Sequence, residues 1–307
     1  MQTTIRSAVT FKGVGLHSGA PVRMTIHPAS ANYGIWFRRT DIDRLDPLIP
    51  ARWDAVVASR LCTLIANRAG TTVSTIEHIM AALAGTGIHN ALIEIDGPEV
   101  PILDGSAAPF VAGIMARGLR ELDVPVRALR ILATVEVRDG EAVARLEPGG
   151  DALDMRFDID FTDRAIGRQT KQLTLANGAF VRELSDSRTF CRRADVETMQ
   201  ANGLALGGTY HNAVVVDGDR VLSPGGLRHA DEPVRHKMLD ALGDLALAGG
   251  PILGRYVGHR AGHALTNRLL RELFRRPEAF CMVELGREAE SFLPGAGLSM
   301  EDLPAFA

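Results

Sequence analysis

Cysteine is scarce in this sequence. Three cysteines occur among 307 residues, at Cys62, Cys191 and Cys281, and they form neither a CxxC pair nor an even set. A disulfide framework is therefore not indicated, and a reducing, cytoplasmic environment is the expected setting.

An excess of charge of one sign is also lacking. The chain carries 34 basic and 37 acidic residues, which gives a formal net charge of −3. Binding to a nucleic-acid backbone requires a basic surface field, and this composition provides none. We therefore expect no nucleic-acid partner.

Long apolar runs are absent as well. No stretch approaches the roughly 18 consecutive apolar residues that a membrane-spanning helix requires. Residues 1–6 lack the apolar run of a secretory signal. We expect a protein that is not stably inserted in a membrane.

The sequence does contain enough apolar residues for a sizeable core. Hydrophobic residues make up 46% and charged residues 23% of the chain, which is typical of globular proteins. At about 150 residues per domain, the length suggests two domains. The charged, proline-containing stretch at 121–127 is the predicted boundary between a domain of residues 1–125 and one of residues 126–307.

Hydrophobic periodicity predicts strands and helices that occur in groups. Strands are predicted at about 22–27, 34–38, 91–95, 131–137, 143–146 and 155–161, and helices at about 75–85, 108–116, 195–202, 233–248 and 264–274. Such grouping favours an α+β fold over a parallel βαβ arrangement. Asp139-Gly140 is typical of a hairpin turn. No glycine-rich loop of Rossmann or P-loop form precedes a helix, so nucleotide chemistry of those kinds is not indicated.

The helix predicted at 233–248 carries a polar stripe. His236, Asp240 and Asp244 lie at positions i, i+4 and i+8, with Gly243 beside them leaving room for a close approach. The core face of this helix is predicted to comprise Val234, Met238, Ala241, Leu242 and Leu245. The stripe has two interpretations. It is either a solvent-exposed face with a His–Asp ion pair, or part of a metal site, because an imidazole and a carboxylate one turn apart commonly bind one metal.

A second histidine follows directly after a glutamate, in Glu77-His78. Ser74 and Glu77 have the spacing of a capping box, in which the Glu77 carboxylate only caps the helix. Alternatively, His78 binds a metal and Glu77 takes the proton from a water molecule beside it. Two histidines and one aspartate leave one position of a tetrahedral zinc ion open, as in catalytic sites.

Seven sequence segments around these residues resemble a known family, the UDP-3-O-acyl-N-acetylglucosamine deacetylases of bacterial lipid A biosynthesis. The segments are GVGLHSG (13–19), STIEH (74–78), AALAG (81–85), PILDGSAAPF (101–110), SRTF (187–190), VRHKMLD (234–240) and GHAL (262–265). The resemblance extends nearly from end to end of the chain. It implies two domains of similar fold, each a β-sheet layered against two helices with a small insert, and an active site between them.

The resemblance also implies the roles of individual residues. One zinc ion per chain is bound by His78, His236 and Asp240, and Glu77 is the general base. The cationic catalytic residue is His263, which Asp244 orients, and the Thr189 hydroxyl helps to hold the oxyanion. The expected reaction is hydrolysis of the N-acetyl group of UDP-3-O-acyl-N-acetylglucosamine.

Substrate-binding residues are expected from the same resemblance. Lys237 is matched to a substrate-binding cation, and Arg260 to a basic position near the diphosphate. An insert at about 190–220 is expected to form an apolar passage for the acyl chain. Its candidate lining residues are Phe190, Val196, Met199, Tyr210 and Val215. The last four are equally compatible with a small core, and Arg260 with an ordinary surface position.

Two other functions remain open at this stage. One is another metal-dependent amidohydrolase that acts on a different acylated sugar or peptide. The other is a binding protein with a structural zinc, which normally has four protein ligands. For the deacetylase we expect a monomer whose only partner is its small-molecule substrate.

Overall fold

Alternating apolar and polar residues form short strands in the first part of the chain. The computed structural model describes residues 1–59 and 61–305. Up to residue 121 the elements are β1 (Thr3–Ile5), β2 (Val9–Val14), β3 (Pro21–Pro28), β4 (Ile35–Arg39), β5 (Leu48–Pro50), β6 (Val56–Val57), β7 (Leu64–Ala66), β8 (Thr72–Val73), α1 (Glu77–Thr86), β9 (Ala91–Ile95), α2 (Ala108–Arg117) and β10 (Leu119–Glu121).

Five of these strands form a sheet with the order β2-β3-β9-β4-β5, and β1 pairs antiparallel with β10. Strand β3 shows the alternation expected of a sheet with one buried face. Val22, Met24 and Ile26 are buried on that face, and the residues between them are on the other. Strands β4 and β9 pair in parallel, and the other neighbours in this sheet are antiparallel. Strands β6, β7 and β8 form a separate three-stranded sheet, which is the insert of this half.

The second part of the chain contains a larger sheet and more helices. Its elements are β11 (Arg127–Ile131), β12 (Val135–Asp139), β13 (Ala142–Glu147), β14 (Leu153–Asp160), β15 (Arg168–Leu175), α3 (Ala179–Glu183), β16 (Phe190–Arg192), α4 (Arg193–Ala201), β17 (Val214–Asp217), β18 (Arg220–Val221), α5 (Glu232–Leu245), β19 (Ile252–His259), α6 (His263–Arg275), β20 (Phe280–Glu284) and α7 (Arg287–Glu290).

Seven of these strands form one sheet. Its main path is β12-β13-β19-β11-β20, and β14 joins it at β19 and carries β15. The predicted hairpin at Asp139-Gly140 is confirmed, because β12 and β13 pair antiparallel across this turn and Gly140 has a φ of 56°. Strands β16, β17 and β18 form a small sheet of their own with α4 against it, which is the insert of this half.

The α+β class expected from the grouping of elements is confirmed. All strands of the five-stranded sheet lie before residue 96, and all strands of the seven-stranded sheet lie after residue 126. This segregation supports the division into domains at about residue 125, which remains a proposal. Within residues 1–59 and 61–305, no helix combines the length and the apolar character that crossing a membrane requires.

Two details of the predicted helices were wrong. Helix α1 begins at Glu77 rather than near Thr75, because Thr75 has a φ of 58° and so cannot belong to a right-handed helix. Helices α3 and α7 were not predicted. They have five and four residues, which is too short to show a helical period.

Helices α1 and α5 pack against each other and join the two parts of the molecule. The predicted core face of α5 is buried, as all five of its residues are 4% exposed or less. Gly243 allows the close approach, because a Cβ atom at this position would overlap the carbonyl oxygen of Glu77. The polar stripe of α5 therefore faces the N-terminal end of α1.

Candidate metal centre and acid–base site

The first turn of α1 and the middle of α5 bring together His78, His236 and Asp240. One ligand atom from each lies within 4.8 Å of the other two. The three residues are 4%, 3% and 5% exposed, so the interpretation of the stripe as a solvent-exposed face is wrong. The two imidazole rings meet edge to face with their centroids 5.0 Å apart.

His236 is held in the form that binds a metal. Its Nδ1–H donates to the carbonyl oxygen of Ser187 at 3.0 Å, which leaves the lone pair of Nε2 facing Asp240 at 3.3 Å. Burial, together with the neighbouring His78 and Lys237, lowers the pKa of His236 to about 4. The imidazole is therefore neutral at physiological pH.

The carboxylate of Asp240 is anionic and only partly satisfied. Burial alone would raise its pKa, but the neighbouring His236 and Lys237 hold that pKa well below its usual range. Oδ2 accepts a hydrogen bond from Lys237 Nζ at 2.9 Å. Oδ1 is buried and has no hydrogen-bond partner among the described residues, although it faces His78 Nε2 at 3.5 Å and His236 Nε2 at 3.3 Å. A buried, unpaired anionic oxygen between two imidazoles fits a divalent cation.

Glu77 lies beside this cluster and does not cap its helix. Its Oε2 accepts from the backbone N–H of Thr63 at 3.0 Å, while the Ser74 hydroxyl donates to the carbonyl oxygen of Pro98. The capping-box interpretation is therefore wrong. Burial raises the pKa of Glu77, and the nearby His263 and His78 offset this only in part.

His263 occupies the first position of α6, and its imidazole faces Glu77. Its Nδ1 donates to Asp244 Oδ2 at 2.8 Å, and its Nε2 lies 3.8 Å from Glu77 Oε1. Burial alone would lower its pKa, but the carboxylates of Asp244 and Glu77 outweigh burial and raise it to about 9. The imidazole is therefore protonated at neutral pH.

Thr189 and Phe190 end the SRTF segment, whose Ser187 carbonyl oxygen accepts a hydrogen bond from His236. The backbone of Thr189 is anchored on both sides, since its N–H donates to Gly105 O and its carbonyl oxygen accepts from Val214 N–H, each at 2.8 Å. The ring of Phe190 meets the ring of His236 edge to face, with centroids 6.2 Å apart. This geometry places Phe190 where the insert begins, as the sequence indicated.

The cations expected at the substrate lie close together. Lys237 and Arg260 both line a cavity of about 300 Å³ next to Asp240. Burial alone would lower the pKa of Lys237, but Asp240 raises it, so the ammonium is charged. The Arg260 guanidinium already pairs with Glu141 and Asp160.

The other predicted passage residues all belong to the insert. Val196 and Met199 are half-buried on α4, Val215 is buried in β17, and Tyr210 is 47% exposed in the turn before β17. The structure thus places them on one small substructure, and their contact with an acyl chain remains a prediction.

Sequence reasoning missed a buried ion pair that supports this centre. Glu232, at the start of α5, accepts from the backbone N–H of Arg188 at 3.0 Å and from its guanidinium at 2.9 and 3.1 Å. Arg188 is 6% and Glu232 0% exposed. The pair fixes the SRTF segment against α5, and so holds the carbonyl oxygen of Ser187 in place for His236. The adjacency of Arg188 to the recognised Thr189 was the only available signal.

Thr63 was missed as well. It is 4% exposed, and it contacts both Glu77 and Asp244. No motif or period in the sequence marks it.

Two imidazoles and a carboxylate around one point, a buried glutamate and a protonated histidine define a metal-dependent hydrolase. Comparisons with known proteins agree with this class. The family model described as UDP-3-O-acyl N-acetylglycosamine deacetylase matches residues 2–275 of this chain. The chain belongs to this family.

Curated bacterial proteins named UDP-3-O-acyl-N-acetylglucosamine deacetylase are similar along nearly their whole length. The protein of Phenylobacterium zucineum is 50% identical over 279 residues, which cover 91% of this chain and 95% of the relative. That of Shewanella frigidimarina is 45% identical, with coverage of 96% and 98%. That of an Anaeromyxobacter species is 47% identical, with coverage of 94% and 93%.

Proposed function

We propose that this enzyme hydrolyses the N-acetyl group of UDP-3-O-acyl-N-acetylglucosamine. The products are acetate and UDP-3-O-acyl-glucosamine, and the reaction is the committed step of lipid A biosynthesis. The observation that carries the proposal is the convergence of three metal-ligand atoms within 4.8 Å of one another beside the buried Glu77. The family and the names of the relatives supply the substrate.

The cofactor in this proposal is one zinc ion per chain, held by His78, His236 and Asp240. Two imidazoles and one carboxylate are a common ligand set of catalytic zinc, which keeps a fourth position open. When bound, zinc supplies Lewis-acid chemistry that makes water acidic enough to attack an amide near neutral pH. Within residues 1–59 and 61–305 the cluster has three ligand residues, one fewer than a closed structural site.

Glu77 is the general base. Its carboxylate lies among the ligand residues, and one of its oxygens is held by Thr63 N–H at 3.0 Å. The other oxygen is free to accept the proton of the attacking water. Burial raises the pKa of Glu77, and a base works best when its pKa approaches the working pH.

His263 supplies positive charge and the proton for the leaving amine. In the metal-free chain its pKa of about 9 favours the protonated form at neutral pH, and Asp244 holds Nδ1 so that Nε2 points toward Glu77. Glu77 is the alternative proton donor once it has accepted the proton of the water. Its Oε1 lies 3.8 Å from His263 Nε2, so both groups are close to the same reacting amide. The Thr189 hydroxyl stabilises the oxyanion of the tetrahedral state.

Two surfaces bind the substrate outside the reacting amide. Lys237 and Arg260, which border the cavity of about 300 Å³, meet the negatively charged nucleotide portion. The insert that begins at Phe190 receives the acyl chain along Val196, Met199, Tyr210 and Val215. In this proposal the enzyme acts as a monomer. The three free cysteines support a reducing, cytoplasmic location.

Metal content and acetate release test this proposal together. We expect about one zinc per chain, loss of activity on chelation and recovery with zinc. Acetate release from the 3-O-acylated nucleotide sugar should exceed that from the same sugar without its acyl chain. Equal rates on the two substrates would favour a different amidohydrolase, and metal without any acetate release would favour a structural zinc site.

A further inference from the structure

Thr63 precedes β7, the central strand of the three-stranded sheet in the N-terminal part of the chain. Its backbone N–H donates to Glu77 Oε2 at 3.0 Å, and its hydroxyl donates to Asp244 Oδ1. Glu77 lies on α1 and Asp244 on α5. One buried residue therefore contacts the carboxylate of the general base and the carboxylate that orients the cationic histidine.

These contacts close a ring of four residues. Asp244 uses Oδ1 for the Thr63 hydroxyl and Oδ2 for His263 Nδ1, the latter at 2.8 Å. His263 Nε2 then faces Glu77 Oε1 at 3.8 Å, and Glu77 Oε2 returns to Thr63. Each carboxylate in the ring is held at one oxygen and faces His263 with the other.

We propose that Thr63 is a positioning residue that sets the relative geometry of the base and the cationic histidine through this ring. The inference rests on the proposed function, in which Glu77 and His263 act on the same amide. The terminal torsion of an aspartate is broad, so one hydrogen bond from His263 alone leaves the Asp244 carboxylate free to rotate. The Thr63 hydroxyl anchors the second oxygen and removes this freedom.

The side chain of Thr63 suits this task better than a flexible donor would. A β-branched residue has a restricted χ1 angle, which fixes the direction of its hydroxyl. The strand that follows it is paired on both sides, through Ile65 with Val56 and with Val73. The hydroxyl therefore lies directly before a strand that is paired on both sides.

Thr63→Val tests the inference, since valine keeps the shape and the backbone N–H but lacks the hydroxyl. We expect kcat on the acylated nucleotide sugar to fall by roughly 10- to 100-fold, by analogy with the loss seen when the hydrogen-bond partners of metal ligands are removed. KM and zinc content should stay near their wild-type values, because Thr63 contacts neither substrate nor metal in this proposal. Thr63→Ser, which restores the hydroxyl, should recover most of kcat. An unchanged kcat in Thr63→Val would overturn the inference.

Thr86→Val is the matched control. Thr86 is also a fully buried threonine, and its hydroxyl donates to Ala82 O within α1 at 2.7 Å, away from the catalytic cluster. The Thr86→Val variant loses a buried hydroxyl in the same way as Thr63→Val, and we expect this control to keep the wild-type kcat. If both valine variants lost kcat to the same degree, the hydroxyl of Thr63 would have only a structural role.

A double-mutant cycle separates action through Asp244 from a local effect. In the Asp244→Ala background, Thr63→Val should cause little further loss of kcat, because its partner is already absent. An equal loss in both backgrounds would overturn the inference. Should Thr63→Val fail to fold, the cycle uses Thr63→Ala against Thr63→Ser, which differ only in the hydroxyl.

A measurement without turnover completes the test. In metal-free protein, the Nδ1–H proton of His263 in its bond to Asp244 should give a low-field NMR signal that Thr63→Val shifts or broadens and Thr86→Val does not. A signal that is identical in all variants would contradict the ring. Failure of the proposed function would appear separately, as a wild-type enzyme that releases no acetate from the acylated nucleotide sugar.

Discussion

The proposed catalytic centre and the insert at about 190–220 differ in how deeply their residues are buried. On α5, His236, Asp240 and Asp244 are all buried, and each is hydrogen bonded to, or in contact with, a residue outside α5. On α4, no residue is fully buried. The groups proposed to carry out the chemistry thus lie on packed helices, whereas two of those expected to contact the acyl chain, Val196 and Met199, lie on the half-exposed helix α4. Substitutions in the two regions should therefore differ in the size and in the kind of their effect.

The largest effect is expected from removing a metal ligand. His78→Ala and Asp240→Ala should each lose zinc, and acetate release should fall to background, because two ligands cannot retain the ion well. Metal analysis after gel filtration, together with acetate release, measures both outcomes. Zinc near one per chain in both variants would exclude this ligand set.

Removing a proton-transfer group should have a smaller effect and leave the metal in place. Glu77→Ala and His263→Ala are expected to lower kcat by roughly 10²- to 10⁴-fold, the usual contribution of positioned acids and bases. Zinc content should remain near one per chain. Full activity of Glu77→Ala would show that its carboxylate has no part in the reaction.

The pH profile should separate the two proton-transfer groups. Glu77 acts as a carboxylate, so activity rises as the pH passes above its raised pKa. His263 acts as a cation, so activity falls as the pH rises through its pKa, which is about 9 in the metal-free chain. A bound dication lowers both values. The profile of kcat/KM should therefore be bell-shaped, and His263→Gln should abolish its basic limb; a basic limb that persists in this variant would assign it to another group.

The smallest effect is expected in the insert. Met199→Ser on α4 should raise KM for the acylated substrate several-fold, because roughly 0.8 kcal/mol is lost for each CH₂ group no longer buried. Its kcat/KM for the sugar without an acyl chain, its zinc content and its Tm should change little. An equal loss on both substrates would show that α4 does not contact the acyl chain.

The sequence predicts the elements of this site better than their contacts. Spacing along one helix was enough to identify the stripe of His236 and Asp240, because residues one turn apart share a face whatever the surroundings are. Spacing could not distinguish a capping box from a general base at Glu77. That choice depends on the N–H of Thr63, which lies in a different segment, directly before β7.

The contacts that went unpredicted share a physical cause. Thr63 and Asp244 are 181 residues apart, and Arg188 and Glu232 are 44 apart. Such pairs leave no period in the sequence, since each partner satisfies only the local preferences of its own segment. The start of α1 was misplaced for a related reason: the left-handed backbone at Thr75 accompanies the bond from its hydroxyl to the buried Glu99.

Gly243 sets the distance between helices α1 and α5. Any side chain at this position would push α5 away from the first turn of α1, and with it Asp240 away from His78. The distance between His78 and Asp240 thus depends on direct backbone contact between the two helices, and not only on the ligand side chains themselves. The same ligands transplanted onto another helix pair would need an equally bare crossing point to reach a common ion.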